Sequence, residues 1–356
     1  MTHKKPGVAI VGLGLIARTH ATAYLAKSDV VELVAVCDSD PEVARAFADE
    51  FGARPYTDYR EVLADESVDV ADLILPHSLH REIAIAALDA GKHVLLEKPI
   101  APNYPDSLEI YRHALAAGVH FMVAENTRYI AAYQAIEKAL RDGLIGEVIH
   151  ARTILRSNEK AHLSMPGNWR TRFDLGGGLV LDTGAHSFYL LAWLLGEIES
   201  LRATGKKLFA LPNEIEDTAE VSGILRSGAH FSCAFTSVSE APHSERLELY
   251  GTEGALFMDQ AADPVVKLFQ GQYDFAGRAL PGVPVALDAW HPGGWHFESV
   301  LTEVGDFVDS LVAGRDPLID SRDCVYAIGV VDAAYRSIRA GEEVVRLDEL
   351  TRKAIR

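Results

Sequence analysis

Asp182 and His186 stand four residues apart in the stretch 176–196, GGGLVLDTGAHSFYLLAWLLG, and they alone break its apolar character with ionisable groups. On a helix, side chains at i and i+4 leave the same face one turn apart and can share one small target. A carboxylate there can hold a substrate hydroxyl or orient the imidazole. An imidazole, which titrates near neutrality, can take and return a proton at working pH. A helix that is apolar all round is buried, and burying both groups is costly unless each meets a polar partner. The structural alternative is that Asp182 caps the helix and His186 is a satisfied core histidine. A metal reading, with the pair as two ligands, lacks a third ligand at motif spacing, so no metal is assigned.

The other chemistry-bearing residues fall at strand ends. The β-branched run Val8–Val11 feeds into Gly12-Leu-Gly14-Leu-Ile-Ala17, and a helical pattern continues to about Ala26. Gly12 permits a tight turn, Gly14 lets a pyrophosphate approach the backbone, and the small Ala17 allows close packing of helix on strand. The helix N-terminus then faces the phosphates. A second strand, Glu32–Cys37, ends in Asp38, about 20 residues on, where a carboxylate accepts hydrogen bonds from the adenosine ribose and repels a 2′-phosphate. NAD is therefore the expected cofactor, the alternative for Asp38 being a helix cap before Pro41. The pattern goes on with helices over Pro41–Phe51 and Asp58–Ala64 and a strand over Val68–Leu75. A helix over His80–Ala90, a strand over His93–Leu96, a helix over Asn103–Ala117 and a strand over Val119–Ala124 follow. This order predicts parallel βαβ winding. Lys98, in Glu97-Lys98-Pro99, then lies at the carboxyl end of a parallel strand, where ligands of open α/β sheets bind. Read without a ligand, it is an exposed loop lysine.

A chain of 356 residues exceeds the usual size of one hydrophobic core and predicts two domains. With 48% hydrophobic and 24% charged residues it has an ordinary globular composition, without repeats or low-complexity tracts. A net charge of −17 argues against nucleic acid and against an anionic membrane surface, which leaves small molecules as partners. Cys37, Cys233 and Cys324 are odd in number and far apart, so buried thiols are expected rather than disulfides or a zinc site. The basic MTHKK start precedes an apolar run too short to span a bilayer and without a cleavage pattern, so a cytoplasmic protein is expected. From Glu147 onward the pattern becomes β-rich: EVIHARTILR, the stretch Leu201–Leu208, DTAEVSGIL, AHFSCAFTSV and ERLELYGT, with a turn at 226–228.

These segments together resemble the glucose–fructose oxidoreductase and inositol dehydrogenase family (Gfo/Idh/MocA). The matching pieces are GLGLIARTH at 12–20, Asp38, PHSLHREIAIAALDAGKHVLLEKPIA at 76–101, WRTRFDLGGGLVLDTGAHSFYLLAWLLG at 169–196 and a closing helix near 300. The resemblance implies an α/β protein. Its N-terminal Rossmann domain, residues 1–125, would be a doubly wound parallel sheet. Its C-terminal α+β domain, 126–356, would carry a large, open, mostly antiparallel sheet, and the final helices would return to the Rossmann domain. It implies Lys98, Asp182 and His186 as the catalytic trio. It places Gly12, Gly14, Leu15, Ile16, Asp38, Pro76, His77, His80, Glu97 and Lys98 around NAD, with Trp169 and Arg170 near the pyrophosphate. Ala17 stands where the motif has its third glycine, and Tyr189 replaces the acid often found three residues after the histidine, which leaves the substrate contacts open.

The activity implied is hydride transfer from a secondary hydroxyl of a sugar, sugar derivative or cyclitol to NAD, with His186 as base, Lys98 as the cation on the alcohol oxygen and Asp182 on the hydroxyl or the imidazole. An NAD-dependent glycosidase that oxidises C3 transiently, eliminates the aglycone and re-reduces, with no net NADH, would use the same trio. A non-catalytic NAD-binding regulator would have no use for it. The open sheet and apolar runs such as Ala229–Phe235 predict a homodimer or homotetramer. Between His150 and Arg172 the residues Arg152, Arg156, Lys160, Arg170 and Arg172 face a single acid, Glu159. Arg152 and Arg156 read as a solvated strand face. Lys160, His162 and Arg172, with Asn126 and Arg128 from the polar exit of the preceding strand, are substrate-binding candidates, and an anionic sugar or glycoside is the substrate they suggest.

Overall fold

A computed structural model describes residues 5–209, 215–241, 243–271, 274, 276–283 and 294–355, so of the basic start only Lys5 is covered. The chain forms two compact units. One contains Met1–Ala101, Pro105–Asn126 and His296–Val325; the other contains Pro102–Tyr104, Thr127–Trp295 and Tyr326–Arg356.

The first unit holds a parallel sheet of β1 (Gly7–Val11), β2 (Glu32–Cys37), β3 (Arg54–Tyr56), β4 (Val70–Leu73), β5 (His93–Glu97) and β6 (Phe121–Ala124) in the order β3-β2-β1-β4-β5-β6. This is the doubly wound dinucleotide-binding order, whose switch point lies between β1 and β4. Strands β1 and β4 are buried at every residue, as a parallel sheet covered on both faces requires. The crossovers are α1 (Ala17–Ala26), α2 (Pro41–Phe51), α3 (Tyr59–Ala64), α4 (His80–Asp89) and α5 (Tyr104–Ala117). Helix α2 starts where Asp40 accepts the Glu42 N–H at 2.8 Å, with Pro41 in the first turn, and ends at Gly52 with φ +73°. Strand β3 is absent from the sequence reading because three residues, RPY, that are half-exposed or exposed carry no apolar signal.

The second unit is built on a nine-stranded sheet. Its strands are β7 (Val148–Arg156), β8 (Ile198–Lys206), β9 (Thr218–Leu225), β10 (His230–Thr236), β11 (Ser244–Gly251), β12 (Ala255–Asp259), β13 (Val266–Phe269), β14 (Arg278–Ala279) and β15 (Val345–Arg346). They run β14-β13-β12-β11-β7-β10-β9-β8-β15, antiparallel except where β7 lies parallel to β10. The unit's helices include α6 (Ala131–Arg141), the short α7 (Lys160–Leu163) and α8 (Ala185–Leu195); α9 (Trp295–Ala313) and α10 (Ser321–Arg339) close the chain.

Along β10, Phe231, Cys233 and Phe235 are buried and alternate with half-exposed Ser232, Ala234 and Thr236. The run expected to need covering by another subunit therefore turns its large side chains inward. Phe188 of α8 meets Phe235 edge to face with ring centroids 6.2 Å apart, which seats α8 on the sheet. The stretch Phe173–Leu195 is long and apolar enough to cross a membrane, but 67% of its most apolar window is buried inside the fold. All three cysteines are buried free thiols, and burial pushes Cys37 and Cys233 up to about 12.

Candidate active site

In the first unit the predicted residues gather at the carboxyl ends of the strands. The turn after β1 requires glycine at position 12, where φ is +93° and a Cβ would stand 2.0 Å from the Ile74 carbonyl oxygen. Gly14 borders open space, and Leu15 at the tip is 89% exposed. The Leu13 N–H donates to Asp38 Oδ2 at 3.1 Å, while Asp38 Oδ1 accepts the Asp40 N–H at 3.0 Å, so the carboxylate is oriented at the end of β2. Helix α1 begins after Ile16 with no side-chain cap and no acid in its first turn. An uncapped positive helix end behind a glycine turn fits a pyrophosphate.

Beyond β4, Pro76 leads into a 3-10 turn, His77–Leu79, in which His77 is buried. His80 is 0% exposed, and its ring nitrogens lie 2.9 Å from the Pro99 carbonyl oxygen and 3.0 Å from that of Leu75. It was expected to line the cofactor. In the structure it lies between the segments after β4 and β5, where the single N–H of a neutral ring can donate to one of these two carbonyl oxygens. Burial lowers its proton affinity, and the backbone acceptors oppose that shift. At the end of β5, Glu97 Oε2 accepts the Lys98 N–H at 3.0 Å, and the Lys98–Pro99 peptide is cis. Asn126, at the exit of β6, donates to Ser299 Oγ at 2.9 Å and lies 3.3 Å from His296 Nδ1.

In the second unit the triple glycine is a packing requirement. A Cβ on Gly177 would lie 2.2 Å from the Arg170 carbonyl oxygen, and one on Gly178 would lie 2.2 Å from the Tyr335 hydroxyl. The helix that follows is not α-helical throughout as expected: Val180–Gly184 is a π turn, and α8 continues from Ala185. Such turns recur at functional sites. Asp182 lies inside this turn, its N–H donating to the Gly178 carbonyl at 2.9 Å, so it is not the helix cap. Leu179, Val180 and Leu181 and the span from Ser187 to Ala192 are buried, whereas Asp182 and His186 are half-exposed. Asp182 Oδ2 accepts from Arg170 Nε at 3.3 Å, and the Arg170 guanidinium stacks 4.4 Å over the Trp169 ring. His186 Nδ1 lies 3.3 Å from Thr127 Oγ1. Tyr189, three residues on, is 1% exposed and belongs to the core.

The substrate-binding candidates of the basic segment already have partners. Lys160 pairs with Glu240 and lies 4.6 Å over the Phe209 ring, His162 Nδ1 is 3.6 Å from Glu159, and Arg172 forms a forked pair with Asp174, at 3.0 Å on Oδ1. Counting acids only between 150 and 172 missed Asp174, two residues past the window, and Glu240, which the sheet brings in from 80 residues away. Arg128 stacks 4.2 Å over the Trp193 ring.

Three sets of residues escaped the sequence reading. Thr127, beside His186, carried no signal. Glu216 and Tyr335 anchor the start of the π turn: Glu216 Oε1 accepts the Val180 N–H and the Tyr335 hydroxyl, both at 2.9 Å. Finally, His20 and Asp72 are fully buried in the first unit and meet at 2.8 Å. Here a signal existed, since Asp72 is an acid within the buried strand β4.

Residues 7–125 match a family described as an oxidoreductase family with an NAD-binding Rossmann fold, and residues 133–257 match the GFO/IDH/MocA C-terminal domain. The D-apiose dehydrogenase of Paraburkholderia graminis is 30% identical, over 94% of this chain and 88% of its own length. The myo-inositol 2-dehydrogenase of Thermotoga maritima is 26% identical over 96% of this chain and 99% of its own. Among solved structures, the WlbA dehydrogenase of Bordetella pertussis in complex with NADH and UDP-GlcNAcA is 26% identical, with a TM-score of 0.84 over 97% of this chain and 99% of that one. With both of its characteristic domains matched in order, the chain belongs to the GFO/IDH/MocA family of NAD-binding oxidoreductases.

Proposed function

We propose that the protein oxidises a secondary hydroxyl of a sugar, sugar derivative or cyclitol with NAD as acceptor. The observation that carries this reading is the pair Asp182 and His186, half-open on an otherwise buried helix start, in a chain whose other unit has an uncapped glycine turn and an oriented Asp38. When bound, the nicotinamide supplies the acceptor for the hydride leaving the carbinol carbon. The chain's own residues do the rest. His186 removes the hydroxyl proton through the imidazole, with Thr127 beside its Nδ1 to orient the ring. Asp182, held by Arg170, accepts a hydrogen bond from the substrate. The Lys98 ammonium binds the alcohol oxygen and stabilises the negative charge that develops on it. Asp38 and Leu13 shape the ribose end, and Trp169 with Arg170 closes the loop before the glycines.

In this reading a neutral polyhydroxylated ring is the first choice over an anionic sugar, because Lys160 and Arg172 already pair with Glu240 and Asp174 at the surface. Relatives named for apiose and inositol are consistent with such a substrate. The test is a panel of polyols, aldoses, uronic acids and glycosides incubated with NAD, following NADH absorbance and released aglycone together. NADH should accumulate with a neutral sugar or cyclitol. Aglycone release without NADH would mean the transient-oxidation glycosidase, and a preference for uronic acids would restore the anionic reading.

A further inference from the structure

Behind Lys98 the first unit buries a polar cluster that hydride transfer does not use. His20 on α1 is 0% exposed, with Nδ1 2.8 Å from Asp72 Oδ2 in β4 and Nε2 3.2 Å from Glu97 Oε1 at the end of β5. The second approach is within ion-pair distance but off the line of a good hydrogen bond. Glu97 turns its other oxygen to the Lys98 N–H at 3.0 Å. With both carboxyls ionised and no access to water, the ring turns an N–H to each only as an imidazolium, since a neutral ring has a single N–H, and Nε2 then faces Glu97 by charge rather than by a well-aligned hydrogen bond.

We propose that Asp72, His20 and Glu97 form a buried relay that fixes the main chain at Lys98, with His20 as the cation between two carboxylates. Asp72 and His20 are then positioning residues for Lys98. The inference rests on the role given to Lys98 above. Four other groups surround the relay: Glu303 on α9, Glu125 after β6, and Tyr24 on α1 face the same cluster, and Cys324 lies near Glu125 and Glu303. Both Glu303 oxygens are buried without a hydrogen-bond partner. Burial, then Glu97, push its carboxyl well above the usual range, and the nearby His20 opposes that shift. Burial disfavours the imidazolium, but Asp72 and Glu97 overcome it and raise His20 well above its ordinary value.

The test combines histidine-labelled NMR with kinetics on the whole chain. In wild type the 15N shifts of His20, assigned by their loss in His20→Gln, should report an imidazolium at a pH above the ordinary histidine value of 6.5. In Asp72→Asn, which keeps the side-chain shape, His20 should lose its proton at least about one unit earlier. The alkaline limb of kcat should move down by the same amount, and kcat should fall about tenfold near pH 8 with the KM for NAD within about twofold. Asp72→Glu should restore most of the turnover. A neutral His20 in wild type at pH 7 would overturn the relay, and this reading needs no variant to fold. A shifted His20 titration with an unmoved kcat profile would overturn the link to Lys98, as would stoichiometric zinc bound by His20, Glu97 and Glu303. Lys98→Ala is measured alongside: wild-type turnover there removes the role of Lys98, and the NMR still judges the Asp72–His20 pair independently.

Discussion

Replacing Tyr335 with phenylalanine probes how the helix start bearing Asp182 is held. The Tyr335 hydroxyl donates to Glu216 Oε1 at 2.9 Å and accepts the Leu181 N–H at 3.3 Å, while Glu216 also accepts the Val180 N–H at 2.9 Å. Burial, then Glu216, push the phenol well above its ordinary value, so it is a neutral donor at any working pH. Losing a hydrogen bond to a carboxyl group costs about 1.5–3 kcal/mol, and a buried amide left without its acceptor costs about 1–3 kcal/mol more. A net loss of about 3 kcal/mol in a unit of this size lowers Tm by about 6–12 °C in calorimetry. The freed turn also lets Asp182 shift, so kcat should drop by about tenfold or more. Gly178→Ala strains the same spot, with φ at +131° and a Cβ 2.2 Å from the Tyr335 hydroxyl. The double variant should therefore be more stable than the two single losses summed. A Tm within about 2 °C of wild type for Tyr335→Phe, together with unchanged kcat, would show that the Glu216–Tyr335 anchor is dispensable.

Other outcomes follow from the first unit. NAD should be preferred over NADP by at least about tenfold in kcat/KM, since Asp38 meets the extra phosphate as a like charge, and comparable constants would contradict this. Gly12→Ala places a methyl 2.0 Å from the Ile74 carbonyl at a φ of +93°. It should cost about 3 kcal/mol or more and abolish NAD binding in a fluorescence titration, and wild-type binding would refute the turn argument. His20 and Glu303 both bind protons more tightly when folded than their ordinary values of 6.5 and 4.5. Their stabilisation is complete below those values and is lost as pH rises through the folded ones, so Tm should fall as pH rises above 4.5 for Glu303 and above 6.5 for His20. Glu303→Gln, which cannot ionise, should flatten part of that fall; an identical slope would mean that Glu303 is already charged.

The residues that position the first unit's site were legible because the signal was local. Val8–Val11, Gly12, Gly14 and Asp38 lie within about 30 residues and obey strand, turn and helix periodicities that tertiary context seldom overrides. The Asp182 and His186 pair was legible by spacing, but the π turn was not, since its cause is long-range: Gly178 must admit Tyr335, and Glu216 must reach Val180. The same limit explains Lys160, whose partner Glu240 arrives through the sheet, and the Asp72–His20 contact, which joins residues 52 apart. His80 shows the same limit: its place in the motif suggests a cofactor contact, whereas its burial between the Pro99 and Leu75 carbonyl oxygens is set by segments that only the fold brings together.

The most direct test of the proposed chemistry is steady-state oxidation of the best panel substrate by Lys98→Ala and His186→Ala, with circular dichroism and NAD titration confirming fold and cofactor affinity. The account predicts kcat lower by about two to four orders of magnitude in each, with NAD affinity changed little. Near-wild-type turnover in either variant would contradict it.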